Sequence, residues 1–178
     1  MSNPYPILES ERTILRQFDA SDLIHVFKGL SHPEVIKYYG VSFLTLEATK
    51  EQMEWFRDLE RTETGIWWAI CKESSGEFLG AGGLCELSKE HKKAEIGFWL
   101  LPEYWGKGYM SEVMPLILNY AFDVLHLHRI EGFVESENEN CKRAMKRLNF
   151  TLEGTMRDSE IKNGQFISVD IYSKINSK

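Results

Sequence analysis

Residues 102–112 read PEYWGKGYMSE and place two glycines directly before a helical pattern. The first turn of a helix carries unpaired main-chain N–H groups and the positive end of the helix dipole, and both favour anions. Gly106 and Gly108 have no side chain, so the main chain there can come close to a phosphate. An isolated Gly-x-Gly is more often an ordinary tight turn. The interpretation therefore depends on the sequence around it.

Two familiar glycine motifs do not fit this stretch. A P-loop requires GxxxxGK followed by serine or threonine, and no such run is present. A dinucleotide-binding fingerprint requires a third glycine three residues after Gly108, where Ser111 stands. Phosphate binding by either of these arrangements is excluded.

The run WGKGYM resembles motif A of the GCN5-related N-acetyltransferases (GNAT), Gln/Arg-x-x-Gly-x-Gly/Ala. Gly108 matches the fixed glycine, Trp105 replaces Gln/Arg, and Met110 replaces the small residue. The segments AEIGFWLLPEYWGKGYMSE, NENCKRAMKRLNF and LEGTMRDSEIKNG follow in the order of the ribosomal-protein N-terminal acetyltransferases, the RimJ/RimL-like branch. Asn149 stands where the family usually has a glycine. The resemblance extends from about Thr13 to Ile175.

The resemblance implies acetyl-CoA as co-substrate and a set of residues that hold it. The strand that ends at Leu101 should diverge from its neighbour and offer main-chain groups to the pantetheine arm, which Asn138 should also contact. The glycine turn should hold the pyrophosphate. The implied cofactor-binding residues are Trp99, Leu100, Leu101, Trp105, Gly106, Lys107, Gly108, Tyr109, Met110 and Asn138.

Two catalytic residues also follow from the resemblance. Cys141 occupies the place of a serine that donates a proton to the departing CoA thiolate, and Glu160 occupies that of a glutamate acting as general base, directly or through a water. Glu160 has a structural interpretation too, because Asp158, Glu160 and Lys162 alternate like the solvent side of a strand. Glu95 is the next candidate for the base.

The elements that must position these residues give a mixed α/β pattern. Strands are predicted over 11–17, 66–71, 78–85, 93–101 and 129–134, with two more in the tail after Asn149. Helices are predicted after Ser21 as N-cap, from Thr45 as N-cap, over 107–125 and around 141–148. We expect one GNAT-like α+β domain over residues 1–178, with a mostly antiparallel sheet of about seven strands and about four helices.

Composition narrows the classes of function. The chain has 178 residues, 43% of them hydrophobic, and no apolar run long enough for a membrane span. Its formal charge of −6 argues against nucleic-acid binding. Cys71, Cys85 and Cys141 show neither disulfide nor metal-ligand spacing, so reduced thiols and no metal are expected. The N-terminus shows no secretory signal, so a cytoplasmic location is expected.

These observations predict an acetyl-CoA-dependent N-acetyltransferase in which an amine attacks the thioester within one ternary complex. The expected acceptor is a protein N-terminal α-amine. The alternatives are a small-molecule amine of the polyamine or aminoglycoside type, and a CoA-binding module without catalysis. The resemblance also suggests a homodimer.

Overall fold

A computed structural model describes residues 5–176 of the chain. These residues form a central sheet of eight strands. The strands are β1 (Leu8–Glu9), β2 (Thr13–Arg16), β3 (Ile66–Lys72), β4 (Phe78–Ser88), β5 (Lys93–Leu100), β6 (Arg129–Glu135), β7 (Thr151–Lys162) and β8 (Gln165–Ile175). Their order in the sheet is β1-β2-β3-β4-β5-β6-β8-β7. All neighbours are antiparallel except β5 and β6, which are parallel.

Five α-helices cover the two faces of this sheet. They are α1 (Leu23–Leu30), α2 (Pro33–Ile36), α3 (Lys50–Thr62), α4 (Tyr109–Asn119) and α5 (Glu139–Arg147). Ile117 of α4 packs over Gly82, and Met145 of α5 packs over Gly132, on one face. On the other face α1 packs against Trp99, and Phe56 of α3 lies against Trp67. No helix of the described residues is long and apolar enough to cross a membrane.

The predicted fold class is confirmed, and the differences concern short elements and helix starts. Strand β1 has two residues and α2 has four, so neither produces a periodic pattern. Ser21 does not cap α1: the N-cap of α1 is Asp22, without a side-chain hydrogen bond, and Asp19 caps the 3₁₀ turn Ala20–Asp22 before it by accepting the Ser21 N–H. Thr45 accepts the Ala48 N–H in a separate turn, and α3 begins only at Lys50.

The helix predicted over 107–125 is divided into two parts. Helix α4 ends at Asn119, and a π-helical turn continues to Val124. Pro115 lies inside α4, where it cannot donate the usual main-chain hydrogen bond. Val113, Met114 and Ile117 are nevertheless fully buried, so packing holds the helix in place.

Candidate active site

The glycine turn before α4 has the geometry that its sequence suggests. Gly106 has φ +71° and Gly108 has φ +83°, a left-handed region that favours glycine. Gly108 is the N-cap of α4 and has no side chain to cap the helix, so the first N–H groups of α4 receive no side-chain cap from it. A Cβ at Gly106 would meet nothing within 4 Å. This turn is an open, anion-favouring helix start.

Arg12 fixes the turn from the other end of the chain. Its Nη1 donates to the main-chain oxygen of Lys107 at 3.2 Å, and its Nε donates to Glu112 of α4 at 2.8 Å. The guanidinium also lies 4.8 Å from the ring centroid of Tyr109. Burial favours the neutral form of Glu112, but hydrogen bonds from Ser10 and Arg12 outweigh it and lower the Glu112 pKa. The turn is therefore held by residues about a hundred positions away.

The two parallel strands at the centre of the sheet separate next to this turn. They pair only where Lys93–Glu95 faces Arg129–Glu131. Beyond Glu95, β5 remains paired with β4 and β6 remains paired with β8. The separation leaves an opening between β5 and β6, while each of the two strands stays paired with its other neighbour. The divergence expected from the resemblance is thus present.

Main-chain groups of β5 face this opening at alternate residues. The N–H of Leu101 donates to Leu79 of β4 at 2.9 Å. In an antiparallel pair the next residue, Leu100, directs its N–H and C=O away from that partner. The Leu100 oxygen accepts a 2.8 Å hydrogen bond from Nε1 of Trp105, and the Leu100 N–H is directed to the same side, away from β4. Trp99 is buried by its side chain against Gly29 of α1.

The remaining residues of the turn differ in exposure. Trp105 and Lys107 are exposed, whereas Tyr109 and Met110 are half-buried against the core. The Lys107 ammonium lies 5.7 Å from the ring centroid of Tyr104. A flexible cation therefore stands beside the open turn.

Helix α5 begins with the two residues expected at its start. The Asn138 side-chain oxygen accepts the Cys141 N–H at 3.1 Å, which makes Asn138 the N-cap. Burial raises the pKa of the Cys141 thiol to about 11. The thiol is therefore protonated at neutral pH, and the opposing effect of a helix start does not prevail.

Glu95 occupies the point at which β5 and β6 separate. It is half-buried, and its pKa is raised first by burial and then by the negative charges of Glu86, Glu131 and Glu160. Glu131 is paired with Lys93 and with Arg129, at 3.0 Å and 2.8 Å. Within residues 5–176, the carboxylates of Glu86 and Glu160 make neither an ion pair nor a side-chain hydrogen bond.

Glu160 reaches this group from the β7–β8 hairpin. It lies on β7 opposite Ile167, beyond an irregularity between Met156 and Glu160. Its side chain is exposed, and its charge acts on Glu95. The structure therefore brings the two predicted base candidates together. Cys141 lies in the first turn of α5, the helix whose Met145 packs over Gly132.

Comparison with known proteins decides the family. Residues 12–151 match the acetyltransferase (GNAT) domain family. The chain belongs to this family of acetyltransferases. It is 33% identical over 175 residues to the uncharacterized N-acetyltransferase YoaA of Bacillus subtilis (strain 168), covering 98% of this chain and 99% of that one.

Solved GNAT structures agree on the fold. RimL, a ribosomal L7/L12 alpha-N-protein acetyltransferase solved with coenzyme A, superposes with a TM-score of 0.86 at 21% identity, over 96% of this chain and 98% of that chain. A spermidine N-acetyltransferase from Vibrio cholerae, solved with CoA and spermine, gives a TM-score of 0.84 at 21% identity, over 95% and 98%. The neighbours thus include enzymes with different acceptors.

Several residues of this GNAT site were missed by sequence reasoning. Arg12 and Glu112 showed no local signal, since they meet only in the fold. Tyr39, after α2, has its pKa raised by burial and by the nearby Cys85 and Glu95. No group of three or more His, Cys, Asp or Glu side chains in residues 5–176 could hold a metal ion.

Proposed function

We propose that this GNAT protein transfers the acetyl group of acetyl-CoA to a primary amine by direct attack in a ternary complex. The observation that carries the proposal is the opening between β5 and β6, which has an anion-favouring turn at one end and a half-buried carboxylate at the other. A thioester lying through this opening would meet an amine approaching from the carboxylate side.

The cofactor would be held mainly by main-chain groups. The turn from Trp105 to Met110 would bind the pyrophosphate through the free N–H groups of α4. The ammonium of Lys107 would contact a further negative charge of the cofactor. The Leu100 N–H would hold the pantetheine arm, with Trp99 and Leu101 as its neighbours in the strand. Asn138 would place its amide NH₂ on the same arm, because its oxygen already caps α5.

Proton removal is the first chemical requirement. An α-amine of pKa about 8 is roughly one-tenth neutral at pH 7, which costs about 1.4 kcal/mol, whereas a lysine amine near 10.4 costs about 4.6 kcal/mol. We assign the base to Glu160, acting with Glu95. The pKa of Glu95 is raised by burial and by neighbouring negative charges, so Glu95 can keep a proton taken from the ammonium more readily than an ordinary glutamate.

Proton delivery is the second requirement. The tetrahedral intermediate collapses by breaking the C–S bond, and the departing thiolate takes a proton. Cys141 is the proposed donor because its thiol, with a pKa of about 11, carries that proton at neutral pH. A serine hydroxyl would share this property.

The proposed acceptor is a protein N-terminal α-amine, since it makes the smaller demand on a carboxylate base. One observation favours a polyamine as the second candidate. Glu86 and Glu160 lie near Glu95 with no cation paired to them in the described chain, and a polycation would neutralise them.

The test is acetyl-CoA consumption, followed with a thiol reagent, against peptides with free N-termini, N-terminally blocked lysine peptides, polyamines and aminoglycosides. We expect turnover with free N-terminal peptides and little with blocked ones. Faster turnover with polyamines than with peptides would identify a polyamine, not an N-terminal α-amine, as the acceptor. Tight CoA binding with no thioester consumption across the panel would contradict catalysis and favour a binding module.

A further inference from the structure

Three distant segments meet at one lysine beside the acceptor side of the opening. The Lys162 ammonium donates to the main-chain oxygen of Lys37 at 2.6 Å and to Oε1 of Glu135 at 2.5 Å. The Lys162 and Glu135 side chains are 23% and 15% exposed, so solvent screens this pair less than an open surface pair. The end of α2, the end of β6 and the tip of the β7–β8 hairpin are thus joined by one side chain.

A bulge directs the hairpin tip towards this junction. Met156 pairs with Val169 and Glu160 with Ile167, so residues 157–159 face Ser168 alone. Asp158, within the bulge, has φ +50° and donates its N–H to the Ser168 hydroxyl at 3.1 Å. Extra residues on one strand bend it and increase its twist.

Beyond the bulge, strand alternation links Lys162 to Glu160. The pairing is regular from Glu160 to Lys162, so these two side chains point to the same face of β7. Ile161, between them, points to the other face and is 68% exposed. By the same alternation Glu131 and Glu135 share one face of β6, and Glu95 is the register partner of Glu131. The face of the hairpin that bears Glu160 is therefore the one drawn towards Glu95.

We infer that Lys162 is a positioning residue, which fixes the hairpin tip across the end of β6 and against residue 37, and so sets the position of Glu160 relative to Glu95 in the acceptor cleft. The inference rests on the proposed transfer reaction. Lys162 itself needs no contact with the acceptor. Its two hydrogen bonds act on the reaction only through the carboxylate two residues before it.

The matched test compares two lysines of the same hairpin. Lys174 on β8 donates to the Leu148 oxygen at 2.7 Å, so it also ties the hairpin to another element, at the opposite end from the tip. We expect Lys162→Met to lower kcat/KM for the best amine about tenfold, with the acetyl-CoA Kd within about twofold, and Lys162→Arg to recover most of the loss. Lys174→Met should leave kcat/KM within about twofold.

A double variant separates positioning from general stability. If Lys162 acts through Glu160, Lys162→Met should add less than about twofold to the loss caused by Glu160→Gln. Hydrogen exchange should also quicken in residues 36–44 and 157–168 of Lys162→Met and not of Lys174→Met. Full additivity with Glu160→Gln, an equal loss in Lys174→Met, or unchanged exchange in both segments would overturn the inference.

Failure of the proposed reaction is a separate result. If the parent protein transfers acetyl to no amine, the proposed function is wrong, and the exchange data then decide whether the Lys162 junction exists. If the parent turns over and Lys162→Met equals it within about twofold, only the positioning role is wrong.

Discussion

The two ends of the β5–β6 opening are built differently. At the glycine turn, Arg12 and Glu112 neutralise each other and hold the loop from outside. At the carboxylate end, Glu86 and Glu160 have no neutralising partner in the described residues, and burial makes the charge of Glu95 costly. The side-chain charges at the first end are already paired, whereas a cation that enters the second end would balance the unpaired carboxylates there. This difference fits the proposed ligands, because acetyl-CoA would bind at the turn in every reaction and a cationic acceptor would bind beside the carboxylates.

The largest effect should come from filling the turn. Gly108→Val places a side chain at φ +83°, a conformation that favours glycine, and fills the space that a phosphate needs to approach the main chain. We expect acetyl-CoA affinity to fall about a thousandfold, corresponding to two charge-assisted hydrogen bonds. Calorimetry measures the acetyl-CoA affinity of the parent and of the variant. Gly76→Val is the control, because Gly76 has φ +69° in open space outside the site; equal losses in both variants would mean that backbone strain alone is responsible.

At the other end, removing a carboxylate charge should affect chemistry rather than cofactor binding. Glu160→Gln and Glu95→Gln should each lower kcat about a hundredfold, the lower range for general base catalysis, with the acetyl-CoA Kd unchanged. The pH profile identifies the base, since the raised Glu95 pKa means that the rate increases as pH rises through it. Glu160→Gln activity within about twofold of the parent at every pH from 6 to 9 would leave Glu95 as the sole base.

This contrast also explains what the sequence could predict. The residues proposed to hold the cofactor are nearly contiguous, from Trp99 to Met110, so a local pattern describes them. Arg12 escapes that pattern because its partner lies a hundred residues away. At the acceptor end, Glu95 and Glu160 come from separate strands and meet only because a bulge bends β7. Sequence reasoning named Glu160 as the base and Glu95 as the next candidate, but it could not show the burial and neighbouring charges that raise the Glu95 pKa, since both depend on the fold.

A smaller effect should follow from releasing the turn without filling it. Arg12→Met removes the hydrogen bonds to Lys107 O and Glu112 but keeps a long apolar side chain. We expect acetyl-CoA to bind about tenfold more weakly, since one or two hydrogen bonds to charged groups are lost. Arg61→Met is the control, because Arg61 pairs with Asp58 on the exposed side of α3. An unchanged Kd in Arg12→Met would show that the turn holds its conformation unaided.

The thiol at the start of α5 should contribute less still. Cys141→Ala should lower kcat about fivefold, because water can replace a proton donor to a good leaving group, and Cys141→Ser should keep most of the activity. With a pKa of about 11, Cys141 does not titrate between pH 6 and 9, so the parent and Cys141→Ser should show the same pH profile there. Full kcat in Cys141→Ala would reduce the residue to a packing role.

The smallest effect should appear in the Tm. The partly buried charge of Glu95 destabilises the folded protein at the carboxylate end, whereas the charges of Arg12 and Glu112 at the turn are paired. The raised pKa of Glu95 means that the folded state holds this proton more tightly than the unfolded chain. The stabilisation of the folded state by this bound proton is present below about pH 4.5 and is lost as pH rises through the pKa of Glu95 in the folded state. Glu95→Gln carries no charge, so we expect its Tm to exceed that of the parent by about 2 °C at pH 8, with the difference vanishing towards pH 4.

Glu131 supplies a control of opposite sign for this last experiment. Burial favours its neutral form, but hydrogen bonds from Arg129 and Lys93 outweigh burial and lower its pKa. Its stabilisation is therefore present above the unfolded pKa and lost as pH falls, so Glu131→Gln should lower Tm at pH 8. The two glutamates face each other in one ladder, so a shared loss of Tm in both variants would mean that Glu95 is stabilised by contacts rather than destabilised by its charge. Opposite signs would show that the acceptor end retains an unfavourable charge that a bound ammonium can relieve.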